Sequence, residues 1–235
     1  KTWTAQMAHE LKTPLVIISN FMNRLLGSGP MPPDQEKIFQ QMSKELEYLR
    51  GLISEFMRWV QFSHHLLQNE EKHFFCLNEL VTQVISIHRE AFFQDHNLGS
   101  SPPEVKYVES QKIQILASPF YIRQLISNLL DNALKYSADL LRHPPTVSLG
   151  DSHLKISSFG RPFENHVIER LGLPFNYGKH PQKGFGLGLA WVKSICDHYQ
   201  LLVTIQVHAT DCDQLWLNEV IVDFSRLIHP RNQEK

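Results

Sequence analysis

Apolar residues recur at Leu11, Leu15, Ile18, Met22 and Leu25, and again at Ile38, Met42, Leu46, Leu49, Ile53, Phe56 and Val60. At about 100° per residue, these spacings of three and four keep each set on one line of a helix, the seam of a packed bundle. The first helix is expected from about Thr4 to Leu26, kinked where Pro14 removes a backbone hydrogen bond. Gly27-Ser28-Gly29-Pro30-Met31-Pro32-Pro33 stops it, and Asp34 can cap the second. Two such helices with a short connection make an antiparallel hairpin. Ile17 and Phe21 on the first and Leu52 and Trp59 on the second add an apolar fringe that a lone hairpin leaves in water. That predicts a four-helix bundle made by two chains; docking of the fringe on the rest of the same chain is the alternative.

Around Gln68-Asn69-Glu70-Glu71-Lys72 the pattern turns polar, which places a domain boundary there, between 1–69 and 70–235. Beyond it, Leu77 to about Phe93 is expected as a helix burying Leu80, Val81, Val84, Ile85, Ile87 and Ala91. Strands are expected at Glu104–Val108 and Lys112–Ala117, and a long helix at Phe120–Ser137. Thr146–Leu149 and Leu154–Ser158 read as a hairpin around Gly150-Asp151. Gly160 to Lys183 carries no sustained period and reads as a mobile loop. A helix at Leu187–Tyr199 and strands near Val203–Val207 and Leu215–Phe224 complete the chain. The fold class that follows is multidomain, α and α+β: a helical hairpin forming a dimeric bundle, then a two-layer α/β sandwich with a mixed sheet.

Composition narrows the functions. The 235 residues suffice for two domains with real cores. A net charge of −1 gives no sign of nucleic acid as a partner or of an anionic membrane surface. No apolar run approaches the ~20 residues that cross a bilayer, and the start has no signal-peptide pattern. Cys76, Cys196 and Cys212 are odd in number and widely separated, which suggests reduced thiols in the cytosol. The chain opens inside a helical pattern without a cap, as a fragment of something longer would.

Three stretches carry candidate chemistry. In Ala8-His9-Glu10-Leu11-Lys12-Thr13-Pro14-Leu15, His9 lies roughly 160° from Leu11 around the helix, so its imidazole points to solvent with Thr13 one turn later. Alone this is an ordinary polar surface residue, and the zinc-protease pattern is excluded because Thr13 stands where its second histidine would be. In the helix after Phe120, Asn128, Asn132 and Lys135 recur at i, i+4 and i+7. Carboxamide oxygens can ligate magnesium, and a lysine on the same stripe can meet phosphate; an ordinary amphipathic helix would show the same residues. Lys183-Gly184-Phe185-Gly186-Leu187-Gly188-Leu189 opens directly into a helix. Its bare positions let backbone N–H groups approach phosphate oxygens. No clear strand precedes it and no βαβ crossover follows, so it fits a dinucleotide-binding unit poorly.

The ordered combination is more specific than its parts. His-Glu-Leu-Lys-Thr-Pro-Leu at 9–15, Asn-Leu-Leu-Asp-Asn-Ala-Leu-Lys-Tyr at 128–136 and Gly-Phe-Gly-Leu-Gly-Leu at 184–189 resemble the H, N and G2 boxes of bacterial two-component sensor histidine kinases. The resemblance covers essentially the whole chain. It implies a dimerisation and histidine-phosphotransfer hairpin followed by a catalytic ATP-binding domain of the fold shared with gyrase and Hsp90. Carried over residue by residue, it makes His9 the phosphorylated residue and Glu10 the acid that orients or deprotonates it. Thr13 would position water for dephosphorylation of the partner. Asn132 would ligate the Mg2+ bridging the ATP phosphates, with Asn128 polarising the same shell, Lys135 on phosphate and Tyr136 lining the pocket. Gly184, Gly186, Leu187 and Gly188 would form the phosphate-facing turn, and Phe175 resembles the aromatic that packs the lid. The implied partners are a second copy of the chain and the receiver domain of a response regulator. The implied location is cytoplasmic, with a sensor region and an inner-membrane anchor elsewhere in the full-length protein.

One departure stands out. The family's Asp-x-Gly-x-Gly, whose aspartate accepts the adenine amino hydrogen bond, reads here Ser158-Phe159-Gly160-Arg161-Pro162. A hydroxyl can still accept one hydrogen bond. The charge-assisted bond it replaces is worth ~1.5–3 kcal/mol, so ATP affinity is expected to fall by about one to two orders of magnitude. The competing expectation is therefore a nucleotide-impaired relative acting as a scaffold, phosphatase or phosphorelay. A gyrase-like ATPase is a weaker third reading, because Asn128 stands where such enzymes carry a glutamate to activate water.

Overall fold

The computed structural model describes residues 15–24, 32–65, 70–96, 102–176, 186–211 and 215–228. The chain divides into two compact units, Lys1–Gln68 and Asn69–Lys235.

In the first unit, residues 15–24 form helix α1 and Pro33–His65 form the 33-residue helix α2. Met22 and Phe62 are buried, and Phe56 stacks on Trp59 with ring centroids 5.9 Å apart. Much of the expected seam is uncovered in the single chain: Ile18, Ile38, Met42 and Leu49 are all exposed, as are Ile17 and Phe21 of the fringe. Ile18 of α1 and Ile38, Met42, Leu46 and Leu49 of α2 line one open apolar hollow.

The second unit runs β1 (His73–Cys76), α3 (Leu77–His96), β2 (Lys106–Glu109), β3 (Gln114–Ala117), α4 (Pro119–Tyr136), β4 (Thr146–Gly150), β5 (His153–Gly160), α5 (Asn165–Glu169), α6 (Gly188–Tyr199), β6 (Leu202–Ala209), β7 (Trp216–Asp223) and a 3-10 turn at Ser225–Leu227. Strand β1 pairs antiparallel with β3 as a separate two-stranded sheet, and five strands make the main sheet in the order β2-β4-β5-β7-β6. Only the β2 and β4 pair is parallel.

Register sorts the side chains of the main sheet into rows. Val147, Ile156, Val220 and Ile205 stand abreast, as do Leu149, Leu154, Val222 and Val203, all on the face toward the helices. On the other face the corresponding rows are Thr146, Ser157, Glu219 and Gln206, then Ser148, Lys155, Ile221 and Thr204. One apolar and one polar face is the pattern of a sheet covered on a single side. Helix α4 is the centre of the covering layer, packing on α3, α6 and β5 through Ile122, Leu125, Ile126, Leu129, Leu130 and Leu134.

Several expectations are corrected. Ile87 and Ala91, expected on the buried face of α3, are both exposed, because α3 packs through the stripe of Leu77, Leu80, Val81, Val84 and Ile85. The stretch from Gly160 to Lys183 is not loop throughout: Gly160 ends β5 and Asn165–Glu169 is helical. Strand β1 was not foreseen at all. It is four residues long and runs straight into α3 with no turn signal between them.

Candidate nucleotide site

Helix α4 brings the asparagines of the second motif to the helix α6. The Asn128 Nδ2 donates to the Gln124 carbonyl one turn earlier, at 2.8 Å, which turns its Oδ1 outward. The carboxamide of half-buried Asn132 makes no hydrogen bond to any described residue. Both carboxamides face the first residue of α6. A β-carbon on Gly188 would stand 3.4 Å from Asn132 Nδ2 and Oδ1 and 3.5 Å from Asn128 Oδ1. The glycine-rich turn and the asparagine stripe, more than 50 residues apart in sequence, thus meet at one point.

The turn into α6 is also built for close backbone approach. Gly186 has φ +67°, a left-handed conformation costly for residues with a β-carbon. Leu187 caps α6 without a side-chain hydrogen bond, so the first N–H groups of the helix keep their donor capacity for another acceptor.

At its C-terminal end α4 is stitched to β5. Ser137 bridges Gly160, Ala138 N donates to Phe159 O at 2.8 Å, and a β-carbon on Gly160 would lie 2.4 Å from the Tyr136 carbonyl oxygen. Ser158, two residues back, belongs to the helix-facing row, directly abreast of Asn218 on β7. Ser158 is half-buried, and its hydroxyl makes no hydrogen bond to any described residue. Asn218 is fully engaged in the turn that leaves β5: its Nδ2 donates to Arg161 O at 2.9 Å and its Oδ1 accepts from Phe163 N at 3.1 Å. Sequence reading missed Asn218. The signal was its parity, since it is polar at a position where Val220 and Val222 point inward.

Of the remaining assigned residues, Lys135 is half-buried and Tyr136 exposed at the end of α4. Asp131, next to Asn132, is held by His88 of α3, with Nδ1 and Oδ1 2.7 Å apart. Phe175 is exposed with φ +61°. Leu187 is buried. His9, Glu10, Thr13 and Gly184 lie outside the described residues, as does Cys212. Cysteine chemistry finds no support in α6, where burial pushes the Cys196 thiol up to about 12.

Among the described residues no group of three or more His, Cys, Asp or Glu side chains could hold a metal. The two carboxamide oxygens are hard donors of the kind Mg2+ accepts together with substrate phosphates, so the residues present fit that ion.

Comparison with known proteins gives the site its context. Residues 1–72 match the family described as His Kinase A (phospho-acceptor) domain, and residues 117–219 match the family described as Histidine kinase-, DNA gyrase B-, and HSP90-like ATPase. The chain belongs to the sensor histidine kinases. Its similarity to curated histidine kinases runs through both domains: it is 25% identical to sporulation kinase D of Bacillus subtilis over 83% of the chain and 36% of that protein. It is 27% identical to the sensor histidine kinase CusS of Escherichia coli over 82% of the chain and 40% of that protein. The chain therefore spans well under half the length of these relatives. Among solved structures, full-length ShkA in complex with AMPPNP matches 97% of the chain and 47% of its own, with TM-score 0.59 and 19% identity. The histidine kinase AdeS of Acinetobacter baumannii matches 92% of the chain and 98% of its own, with TM-score 0.54 and 19% identity. At such identities the likeness establishes the fold: a helical phospho-acceptor region followed by an ATPase domain with a mixed sheet.

Proposed function

We propose that the chain is the core of a histidine kinase that phosphorylates its own His9 from Mg-ATP and passes the phosphoryl group to an aspartate of a response regulator. The observation that carries this is the meeting of Asn128, Asn132 and Gly188 in an ATPase-family domain that follows a phospho-acceptor domain containing His9. Asn132 would hold Mg2+ with Asn128 polarising the same shell, and the α6 turn would receive phosphate oxygens; Lys135 would meet a phosphate and Tyr136 line the pocket. The ion supplies charge neutralisation as negative charge shifts onto the leaving oxygen. The imidazole nitrogen of His9 forms the new N–P bond, the bond from the γ-phosphorus to the bridging oxygen breaks, ADP leaves, and Glu10 takes the imidazole proton. Thr13 would position water when the phosphorylated regulator is hydrolysed.

The same reading makes the protein a dimer through α1 and α2, supported by the exposed apolar residues of the hairpin and by the phospho-acceptor match. A response regulator is supported as partner by the solved complex of the histidine kinase ThkA with its regulator TrrA, TM-score 0.54 at 19% identity. Among the described residues no helix is long and apolar enough to cross a membrane. A sensor region and membrane anchor belong to the proposal through the greater length of the relatives.

A second reading, a nucleotide-impaired scaffold, phosphatase or relay, is favoured by Ser158 and Pro162, which stand where the family pattern has its aspartate and second glycine. One experiment separates the two. The chain is incubated with labelled Mg-ATP, and acid-labile, base-stable phosphate is scored against His9→Gln. Label that disappears in His9→Gln is the expected result. Absence of label in a folded dimer, restored by Ser158→Asp, would establish the impaired form instead.

A further inference from the structure

The turn that leaves β5 is fixed from two sides. Toward α4 it is tied by the Ser137 to Gly160 bridge and the Ala138 N to Phe159 O bond. Toward β7 it is tied by Asn218, only 5% exposed, whose carboxamide takes the Arg161 carbonyl with one end and the Phe163 N–H with the other. Between those two anchor points stands Pro162, which has no N–H of its own, holds its φ near −65° and biases Arg161 toward an extended conformation. Asn218 sits abreast of Ser158 in the helix-facing row, and in an antiparallel pair such neighbours have β-carbons about 5 Å apart.

We propose that Asn218 is a positioning residue for nucleotide binding: it pre-forms the Arg161–Phe163 segment and so keeps the pocket wall beside Ser158 in one conformation before nucleotide arrives. This rests on the nucleotide reading above. A site with a hydroxyl in place of a carboxylate has less enthalpy to offer a base, and a wall that needs no ordering on binding recovers affinity. Asn is suited to this where Asp is not, because one carboxamide presents a donor to a carbonyl and an acceptor to an N–H at once. An aspartate would face the Arg161 carbonyl oxygen with a second oxygen.

The test measures autophosphorylation by the whole chain across ATP concentrations for wild type, Asn218→Asp, Pro162→Gly and the double variant, with Asn132→Ala as a reference. Asn218→Asp is expected to raise KM for ATP about tenfold, the worth of one buried hydrogen bond and the order it maintains. The rate at saturating ATP should stay within about twofold, since the anchor acts on binding alone. Pro162→Gly, at an exposed position that places no demand on the core, should raise KM severalfold. The double variant should raise KM by less than the product of the two, because both loosen one segment. A wild-type KM in Asn218→Asp overturns the proposal, and so does a fall in saturated rate at unchanged KM. Should Asn218→Asp fail to fold, Pro162→Gly decides, and an unchanged KM there overturns it equally. If wild type is no better than Asn132→Ala at any ATP concentration, it is the nucleotide reading that fails, and the inference falls with it.

Discussion

A methyl group on Gly188 would be in van der Waals contact with both carboxamides of the asparagine stripe, so the bare first residue of α6 keeps open the space they share. Asn132 has no other described partner there. Asn132→Ala is therefore expected to weaken Mg-ATP binding at least about tenfold, as loss of one metal-side contact does, measured by calorimetric titration. The same variant should move Tm by less than about 2 °C, since it removes no described hydrogen bond and empties no core site. At this scale the sequence was informative wherever the relevant partners lie on one helix. The i, i+4 spacing of Asn128 and Asn132 already put them on one face, and the glycines already marked a turn into a helix. It was silent on Asn218, whose partners Arg161 and Phe163 lie 57 and 55 residues away and come within reach only through strand register. Ser158 was legible as a departure in composition, whereas the lack of a described hydrogen-bond partner for its hydroxyl is a property of the packed sheet.

Among elements, the junction of α4 with β5 and the pairing of β5 with β7 decide the most. Gly160→Ala would place a carbon 2.4 Å from a backbone oxygen of α4, where neither strand nor helix end can give way without breaking the bridge. Its cost is expected to be about 3 kcal/mol or more, read as a large loss in the urea midpoint. On the polar face, Glu219 collects Ser157 at 3.0 Å, Lys155 at 3.0 Å and His208 at 3.5 Å. Burial alone would raise its carboxyl, but the hydrogen bonds from Lys155 and Ser157 outweigh that and hold it below its ordinary value. A depressed carboxylate stabilises the fold above its unfolded pKa, and that contribution vanishes as pH falls through the folded one. Wild type and Lys155→Met should thus differ in Tm at neutral pH and converge only once pH has fallen below the depressed folded pKa of Glu219, under the ordinary carboxylate range. Alternation and β-branched content found the short strands β2, β3 and β4 as well as the long elements, and missed α5 and β1. The five residues of α5 make little more than one turn, too few for a helical period to be counted, and β1, His-Phe-Phe-Cys, shows no alternation of apolar and polar residues and pairs with β3.

At the scale of the whole molecule, the polar stretch Gln68–Lys72 is visible in the sequence as a change of texture, and the two compact units of the structure are Lys1–Gln68 and Asn69–Lys235. The apolar rows of the hairpin were equally legible, while their destination was not, because a single sequence does not say which apolar face meets which. Light scattering on the intact chain is expected to give twice the chain mass. Ile38→Glu, at an exposed position lining the apolar hollow, should give one chain mass with the far-ultraviolet dichroism retained. A dimeric Ile38→Glu would move the interface away from that hollow. Two glycines of the ATPase domain, finally, record different pressures on the gene. At Gly160 the obstacle is a backbone oxygen of the fold itself, so any lineage that keeps the domain folded keeps this residue, whether or not it still uses nucleotide. At Gly188 the nearest described neighbours are the side chains of Asn128 and Asn132, and a lineage that had abandoned nucleotide would be free to lose it. Mutational drift would thus erase Gly188 long before Gly160, and among relatives it is loss of the glycine facing the asparagines that would mark a lineage no longer using nucleotide.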